Sequence, residues 1–240
     1  MFSRLIGRFC GGSSEDWELY RRYGVMPGVR HPGWPEETQT LCVPAGAVRL
    51  RPVVKDDGPE WVRLRRHDED VLSAVEPTAE EPWDEVHTVP SWLKLVASWY
   101  ASASEGTVVP FAIELDGRFV GQVTLGSIQG GSLSTCWIGY WVARPLWGQG
   151  VATAAVALGV DAAMQSVGVH RVEATVLPEN VASRKVLAKA GFHYEGKLLR
   201  NININGRWRD HLLYAVTVEE CPGGVVPRLN NDGRRGCGYG

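Results

Sequence analysis

The chain predicts an α+β fold in which one mixed sheet carries helices on both sides, and three observations predict it. β-prone and helical segments follow one another in the order β-α-α-β-β-β-α-β-α-β-β. Two hairpin turns, Asp116-Gly117 and Asn205-Gly206, join neighbouring strands through residues that tolerate positive φ. Two glycines one residue apart, Gly148 and Gly150, bend the chain between an aromatic strand and an alanine-rich helix.

Each element has a local signal. VRLRPV, Val48 to Val53, alternates like a strand, and Asp57 is placed to cap a helix through GPEWVRLRR. After the acidic loop VEPTAEEPWDEVHTVP, Ser91 caps a second helix, WLKLVASWYASAS, which Gly106 ends. FAIEL and RFVGQVTL flank the first hairpin turn, and SLSTCWIGYWVA supplies the next strand. VATAAVALGVDAAMQSV carries Val151, Ala155, Leu158 and Ala162 on one helical face and stops at Gly168. HRVEATVL alternates again, with Val172, Ala174 and Val176 on one side and Arg171, Glu173 and Thr175 on the other. Asn180 caps a helix through SRKVLAKA that ends at Gly191, and strands near FHYEGKLL and RWRDHLLYAVT embrace the second hairpin turn.

These elements define a working domain over residues 47–218 of the 240. Residues 1–46 hold few periodic apolar positions and many turn residues, so they read as a partly ordered extension. Residues 219–240, rich in Gly, Pro and Asn, read as a disordered tail. A net charge of −2 leaves no general footprint for nucleic acid or anionic membrane, so any anion site is local. The run Phe119 to Ala143 lacks charge but is broken by seven Ser, Thr or Gln and five Gly, which makes it sheet rather than membrane span. Arg8 interrupts the apolar run Leu5 to Phe9 short of signal-peptide length. The five cysteines are odd in number, widely spaced and without a CxxC pair, and read as free thiols in a reducing cytoplasm. His67, His87, His170, His193 and His211 share no metal-ligand spacing, so no metal is expected.

The glycine turn has a chemistry of its own. Gly148 and Gly150 allow a tight bend that brings main-chain N–H groups near a ligand, and the helix from Val151 aims its unpaired N–H groups and positive dipole end the same way. That suits a phosphate, although from the turn's residues alone a plain connecting turn is the more ordinary reading. A P-loop is excluded because Val151-Ala152 follow Gly150 where Lys-Ser/Thr would be required, and the dinucleotide fingerprint fails at Thr153.

About thirty residues further on stands PENVASRKVLAKAGFHYEG, Pro178 to Gly196. Together the two stretches resemble the GNAT N-acetyltransferase superfamily, whose acetyl-CoA turn reads Arg/Gln-x-x-Gly-x-Gly/Ala and is matched by Trp147, Gly148, Gln149, Gly150, Val151 and Ala152. Trp147 departs from the first position, as it does in the RimJ/RimL branch of protein N-terminal acetyltransferases. Asn180 and Ser183, Ala190 to Phe192, Glu195-Gly196, Leu50 to Pro52, Val75 to Thr78 and Asp210 are similar to RimJ proteins too. The resemblance spans residues 47–218 and implies a mostly antiparallel, twisted sheet of about seven strands, splayed at its centre. It implies acetyl-CoA as co-substrate, its pyrophosphate on the N–H groups of Gln149 to Thr153 and its pantetheine arm along the strand Tyr140, Trp141 and Val142. Asn180 and Ser183 would touch the arm, and Arg184 the ribose phosphate unless it is simply a solvated helix residue.

Acetyl transfer needs a neutral amine, a polarised carbonyl and a proton for the departing thiolate. An N-terminal amine of pKa near 8 is about 1.4 kcal/mol short of neutrality at pH 7, a lysine about 4.6 kcal/mol, so an N-terminal acceptor needs only a weak base. Glu173 is the first candidate for that base, or else an ordinary carboxylate paired with Arg171 or Lys185. Ser183 is a candidate proton donor, or only satisfies the first turn of its helix, and Tyr140 is a second donor or a pocket wall. No cysteine sits where it can be activated, so transfer is expected to be direct, in a ternary complex. The expected acceptor is a protein N-terminus, ribosomal-protein alanine among them, and the expected state is a monomer or homodimer with no nucleic-acid or membrane partner. Two other readings remain: acetylation of a small amine such as a polyamine, aminoglycoside or amino acid, and a non-catalytic acyl-CoA sensor. The acidic loop Glu76 to Glu85 can face a positively charged peptide end or simply be hydrated.

Overall fold

The computed structural model describes residues 35–231. Its strands are β1 (Leu41–Val43), β2 (Gly46–Pro52), β3 (Val108–Leu115), β4 (Arg118–Gln129), β5 (Thr135–Val142), β6 (Arg171–Val176), β7 (His193–Ile204) and β8 (Arg207–Thr217). They form one sheet in the order β1-β2-β3-β4-β5-β6-β8-β7. Every neighbouring pair is antiparallel except β5 and β6, which run parallel. The strand beyond the expected seven is β1, three residues long and hidden from sequence patterning because it is shorter than any alternation can mark. Asp116-Gly117 and Asn205-Gly206 close their hairpins with all four residues at positive φ.

The helices are α1 (Gly58–His67), α2 (Glu69–Leu72), α3 (Trp83–Val86), α4 (Val89–Ser104), α5 (Val151–Asp161), α6 (Val181–Lys189) and α7 (Val225–Asn231), and α5 runs on into a wider π turn, Ala162–Val167. They divide between the two faces of the sheet. Helices α5, α6 and α7 close a core with Leu50, Ile113, Val123, Leu125 and Ile138 beneath them. On the other face α1 and α4 bring Trp61, Leu64, Trp92 and Val96 against Val53, Ala112 and Phe119. Ala112 thus faces one core while its neighbours Phe111 and Ile113 face the other, which is why all eight residues of β3 are buried. Helix α5 is apolar nearly all round, as a central helix covered by sheet on one side and by α6 and α7 on the other must be.

Four local expectations are corrected. Thr88, not Ser91, caps α4: its Oγ1 accepts the Ser91 N–H at 3.2 Å, so the helix starts at Val89. Asp57 precedes α1, yet its carboxylate accepts from the Arg51 guanidinium and the Val54 N–H instead of capping the helix. The tail read as disordered is ordered over part of its length. Val225, Val226 and Leu229 of α7 are buried, and the Asp161 carboxylate at the end of α5 accepts the Val225 and Val226 N–H groups at 2.6 and 3.2 Å. Composition concealed this helix because its order comes from burial and a distant cap rather than local propensity; residues 1–34 and 232–240 lie outside the described residues. Finally, Cys136 and Cys221 are free and buried, but Cys42 is disulfide-bonded, which overturns the reading of five free thiols. Among the described residues no helix is long and apolar enough to cross a membrane.

Candidate active site

Strands β5 and β6 stay together for only three residue pairs, Thr135 with Arg171, Cys136 with Val172 and Trp137 with Glu173. Beyond that rung they part, although β5 keeps its pairing with β4 to Val142 and β6 keeps its pairing with β8 to Val176. The Ala143 N–H bonds the Val120 carbonyl of β4. The alternation of an antiparallel ladder therefore turns the main-chain groups of Ile138, Tyr140 and Val142 toward the parting. A cleft of about 820 Å³ occupies it, within the usual range for small-molecule sites. Tyr140, Asn180 and Ser183 line the cleft on the α6 side of the sheet, and Trp61, Arg65, Glu76 and Trp141 on the α1 side.

At the end of β5 the chain makes a 3₁₀ turn, Arg144–Leu146, and then the glycine turn. Gly148 and Gly150 sit at φ +76° and +89°, in the left-handed region that glycine enters without steric cost. Gly150 is the N-cap of α5 and offers no side-chain oxygen to the helix. The first bond into α5 runs from the Ala154 N–H to the Gly150 carbonyl at 3.0 Å, so the N–H groups of Val151, Ala152 and Thr153 point out of the helix start. Such a helix start can cradle an anion with backbone donors alone. Trp147 stiffens it: its indole N–H donates to the Val142 carbonyl at 2.8 Å and folds the turn back onto the strand. The same bond takes the Val142 carbonyl out of the expected strand edge and leaves Ile138 and Tyr140 to offer theirs. Gln149 turns its amide to the Pro145 carbonyl at 2.8 Å. The loop is moored to the α1–α2 junction, where the fully buried Asp68 accepts the Arg144 N–H at 2.8 Å and Asp70 pairs with the Arg144 guanidinium at 3.0 Å.

The residues read from sequence as catalytic all reach the cleft, in different states. Tyr140 points to α6, and its hydroxyl lies 2.8 Å from the Ser183 Oγ and 3.3 Å from the Ser183 carbonyl. Burial pushes the Tyr140 pKa well above the usual phenol range, an effect that the bond to Ser183 only partly offsets. The hydroxyl therefore stays protonated at any physiological pH. Asn180 is the expected cap, its Oδ1 accepting the Ser183 N–H at 3.1 Å. Glu173 stands at the last rung of β5–β6 pairing and accepts from the Arg171 Nε at 2.8 Å, the ion pair that was one of its two readings. Arg171 in turn holds Glu195, whose pKa falls to about 2 mainly through that bond. Arg184 does not line the cleft: its guanidinium reaches the Tyr214 hydroxyl at 3.3 Å and the Pro178 carbonyl at 3.1 Å.

Two features had no recognisable mark in the sequence. Arg65 is buried against Trp61, Trp83 and Trp141, its guanidinium bound to both Glu76 oxygens and its Nε donating to His87 Nε2 at 3.0 Å. Glu76 is thus the one carboxylate of the acidic loop that turns into the cleft, already neutralised. Burial, and then the Arg65 charge, push the His87 pKa down to about 4. The second feature is His211, only 3% exposed yet lining the cleft, with Nδ1 held 3.1 Å from the Arg209 carbonyl. Its place becomes legible only once the pairing of β6 with β8 is known. Among the described residues no group of three or more His, Cys, Asp or Glu side chains is arranged to hold a metal ion.

A sheet that opens between its two parallel strands, with an anion cradle where the first of them ends, is the framework of an N-acetyltransferase of the GNAT type. Comparison with known proteins agrees: the acetyltransferase (GNAT) domain model matches residues 47–193, and the chain belongs to that family, in its RimJ/RimL-like branch. The structure of Mycobacterium smegmatis RimJ in complex with CoA-disulfide is similar at 47% identity and a TM-score of 0.82, covering 85% of this chain and 97% of that one. A probable N-acetyltransferase of Bacillus subtilis, YjcK, is 34% identical over 70% of this chain and 93% of its own. The ribosomal protein uS5-alanine N-acetyltransferase of Escherichia coli is 27% identical over 64% of this chain and 86% of its own.

Proposed function

We propose that this N-acetyltransferase moves the acetyl group of acetyl-CoA to the α-amine of a protein N-terminus, with the N-terminal alanine of a ribosomal protein as the acceptor class, in the cytoplasm and by direct transfer in a ternary complex. The cradle of Gln149 to Thr153 receives the diphosphate through main-chain donors and the helix dipole. The edge of β5 at Ile138 and Tyr140 receives the amides of the pantetheine arm as an added strand would be received. The Tyr140 and Ser183 hydroxyls, bonded to each other, supply the proton that the departing thiolate needs. Cys136 takes no covalent part: it is buried, and its thiol is pushed up to about 12 by desolvation.

The observation that carries the acceptor reading is the state of charge of the cleft. Both carboxylates that line it, Glu76 and Glu173, are bound by arginines, Arg65 and Arg171. A site for a polyamine or aminoglycoside would keep unpaired carboxylates for several positive charges. A cleft with neutralised walls and an aromatic side suits one ammonium at the end of a peptide. The similarity to the RimJ structure and to the uS5-alanine enzyme supports the same choice. The test compares protein N-termini by mass spectrometry in cells with and without the gene, beside acetyl-CoA turnover on peptides beginning with Ala, Ser and Lys. Acetylated alanine termini that disappear with the gene, and turnover of the Ala peptide, are expected; unchanged termini with no peptide turnover would reject the acceptor.

A further inference from the structure

We propose that His211 is the base that takes the proton from the acceptor's ammonium, an inference that rests on the acetyl-transfer reading and names a reacting group within it. Its Nδ1 faces the Arg209 carbonyl, an atom that can only accept, so Nδ1 carries the hydrogen, and in the neutral ring the lone pair is on Nε2. That nitrogen belongs to a buried ring lining the cleft, and among the described residues no donor bonds it. A buried imidazole with one nitrogen fixed and the other turned to a substrate cleft is the arrangement of a general base.

Register places it at the right level. Glu173 pairs with Ala215, so Glu173, Ala215, Leu213 and His211 share one face of the sheet, the face of Trp141 and Glu76. Tyr140 and its partner Ser183, the proton donors on the opposite face, stand three residues beyond the last β5–β6 rung, about 10 Å along the strand. Glu173 is at the rung itself and falls short by that distance. His211 precedes the position opposite Glu173 by four residues in β8, which runs antiparallel to β6, and so stands about 13 Å beyond the rung on the side of Tyr140, within about 3 Å of its level. Base and acid then flank the reacting carbonyl from the two faces of the sheet. The charged groups around the ring are already engaged. On its own face these are Glu173 with Arg171 and, across the cleft, Glu76 with Arg65; among its strand neighbours Asp210 pairs with Lys197, and Arg209 with Glu179.

The step balances without a further reactant. Nε2 takes one proton from the R–NH3⁺ acceptor, and the freed amine attacks the thioester carbon to form the C–N bond. Collapse breaks the C–S bond, and the second amine proton reaches the sulfur through the Ser183 and Tyr140 hydroxyls. The products are the acetylated amine, the CoA thiol and the proton on His211, which passes to water.

The test is His211→Asn, which keeps a donor for the Arg209 carbonyl and removes the basic nitrogen, beside His211→Ala. The expected result for His211→Asn is a loss in kcat of about 100-fold, with CoA affinity by calorimetry unchanged and the peptide KM within about threefold. Added imidazole is expected to restore His211→Ala and leave wild type unaffected. The proposal falls if His211→Asn stays within about threefold of wild-type kcat, or if a His211→Ala protein that still binds CoA is not restored. Wild-type protein that acetylates no amine would instead overturn the acetyl-transfer reading on which the inference stands.

Discussion

Tyr140 and Ser183, the proposed proton donors, come from two elements that the chain separates by more than forty residues, and their hydroxyls touch at 2.8 Å. Removing one hydroxyl leaves the ring and the strand in place, so Tyr140→Phe is expected to lower kcat by about 10²-fold while CoA affinity, read by calorimetry, stays within about twofold. Ser183→Ala should cost a similar factor, and the double variant little more than either, because both groups serve one proton; steady-state kinetics of the three proteins checks this non-additivity. At this scale the sequence is legible wherever a residue's role is local. Asn180 caps the helix that its position announces, and Gly148 and Gly150 take the backbone conformation that their spacing implies. Arg65, His87 and His211 were opaque for the opposite reason. Arg65 and His87 are defined by partners brought from other elements and His211 by the cleft that β8 comes to line, and no spacing along the chain records that lining or the bond between α1 and the loop at Glu76.

Helix α5 serves two ends. Its start presents bare N–H groups, and its finish, through Asp161, caps α7. Gly150→Val at the first end forces a β-branched residue to φ +89°, at about 1–2 kcal/mol, and moves the donors; thermal melts should report a folded protein, and CoA titration a loss of at least about tenfold. Asp161→Ala at the second end leaves the Val225 and Val226 N–H groups without their acceptor, at about 1–2 kcal/mol. Hydrogen exchange should then quicken in Val225–Asn231 while the sheet amides keep their protection. The elements that sequence predicts well carry their own punctuation, as both hairpins and α6 do. The elements it misses, β1 and α7, are short and depend on what they pack against.

As a whole, the molecule should lose stability as pH falls from 6.5 toward 4 in part through one ring. The His87 pKa is depressed to about 4 from an ordinary value of 6.5, so below pH 6.5 the unfolded chain binds a proton that the folded one refuses. Stability contributed by the neutral ring is complete above pH 6.5 and is lost as pH falls toward 4, at up to about 1.4 kcal/mol per unit. Urea melts between pH 7 and 4.5 should show that slope, and His87→Gln should flatten it; an unchanged slope would locate the acid sensitivity elsewhere. The shape of the sheet has its own consequence. Its halves meet at three rungs between β5 and β6, and at the β7–β8 hairpin the loop after α2 closes over the other end, where Thr78 bonds the Asn203 backbone and side chain and accepts the Gly206 N–H. Fastened at both ends, the gap is held open by the architecture itself before any guest arrives. Little binding energy then goes into prising neighbours apart, and the freedom sacrificed to create that room was surrendered once, when the chain first folded.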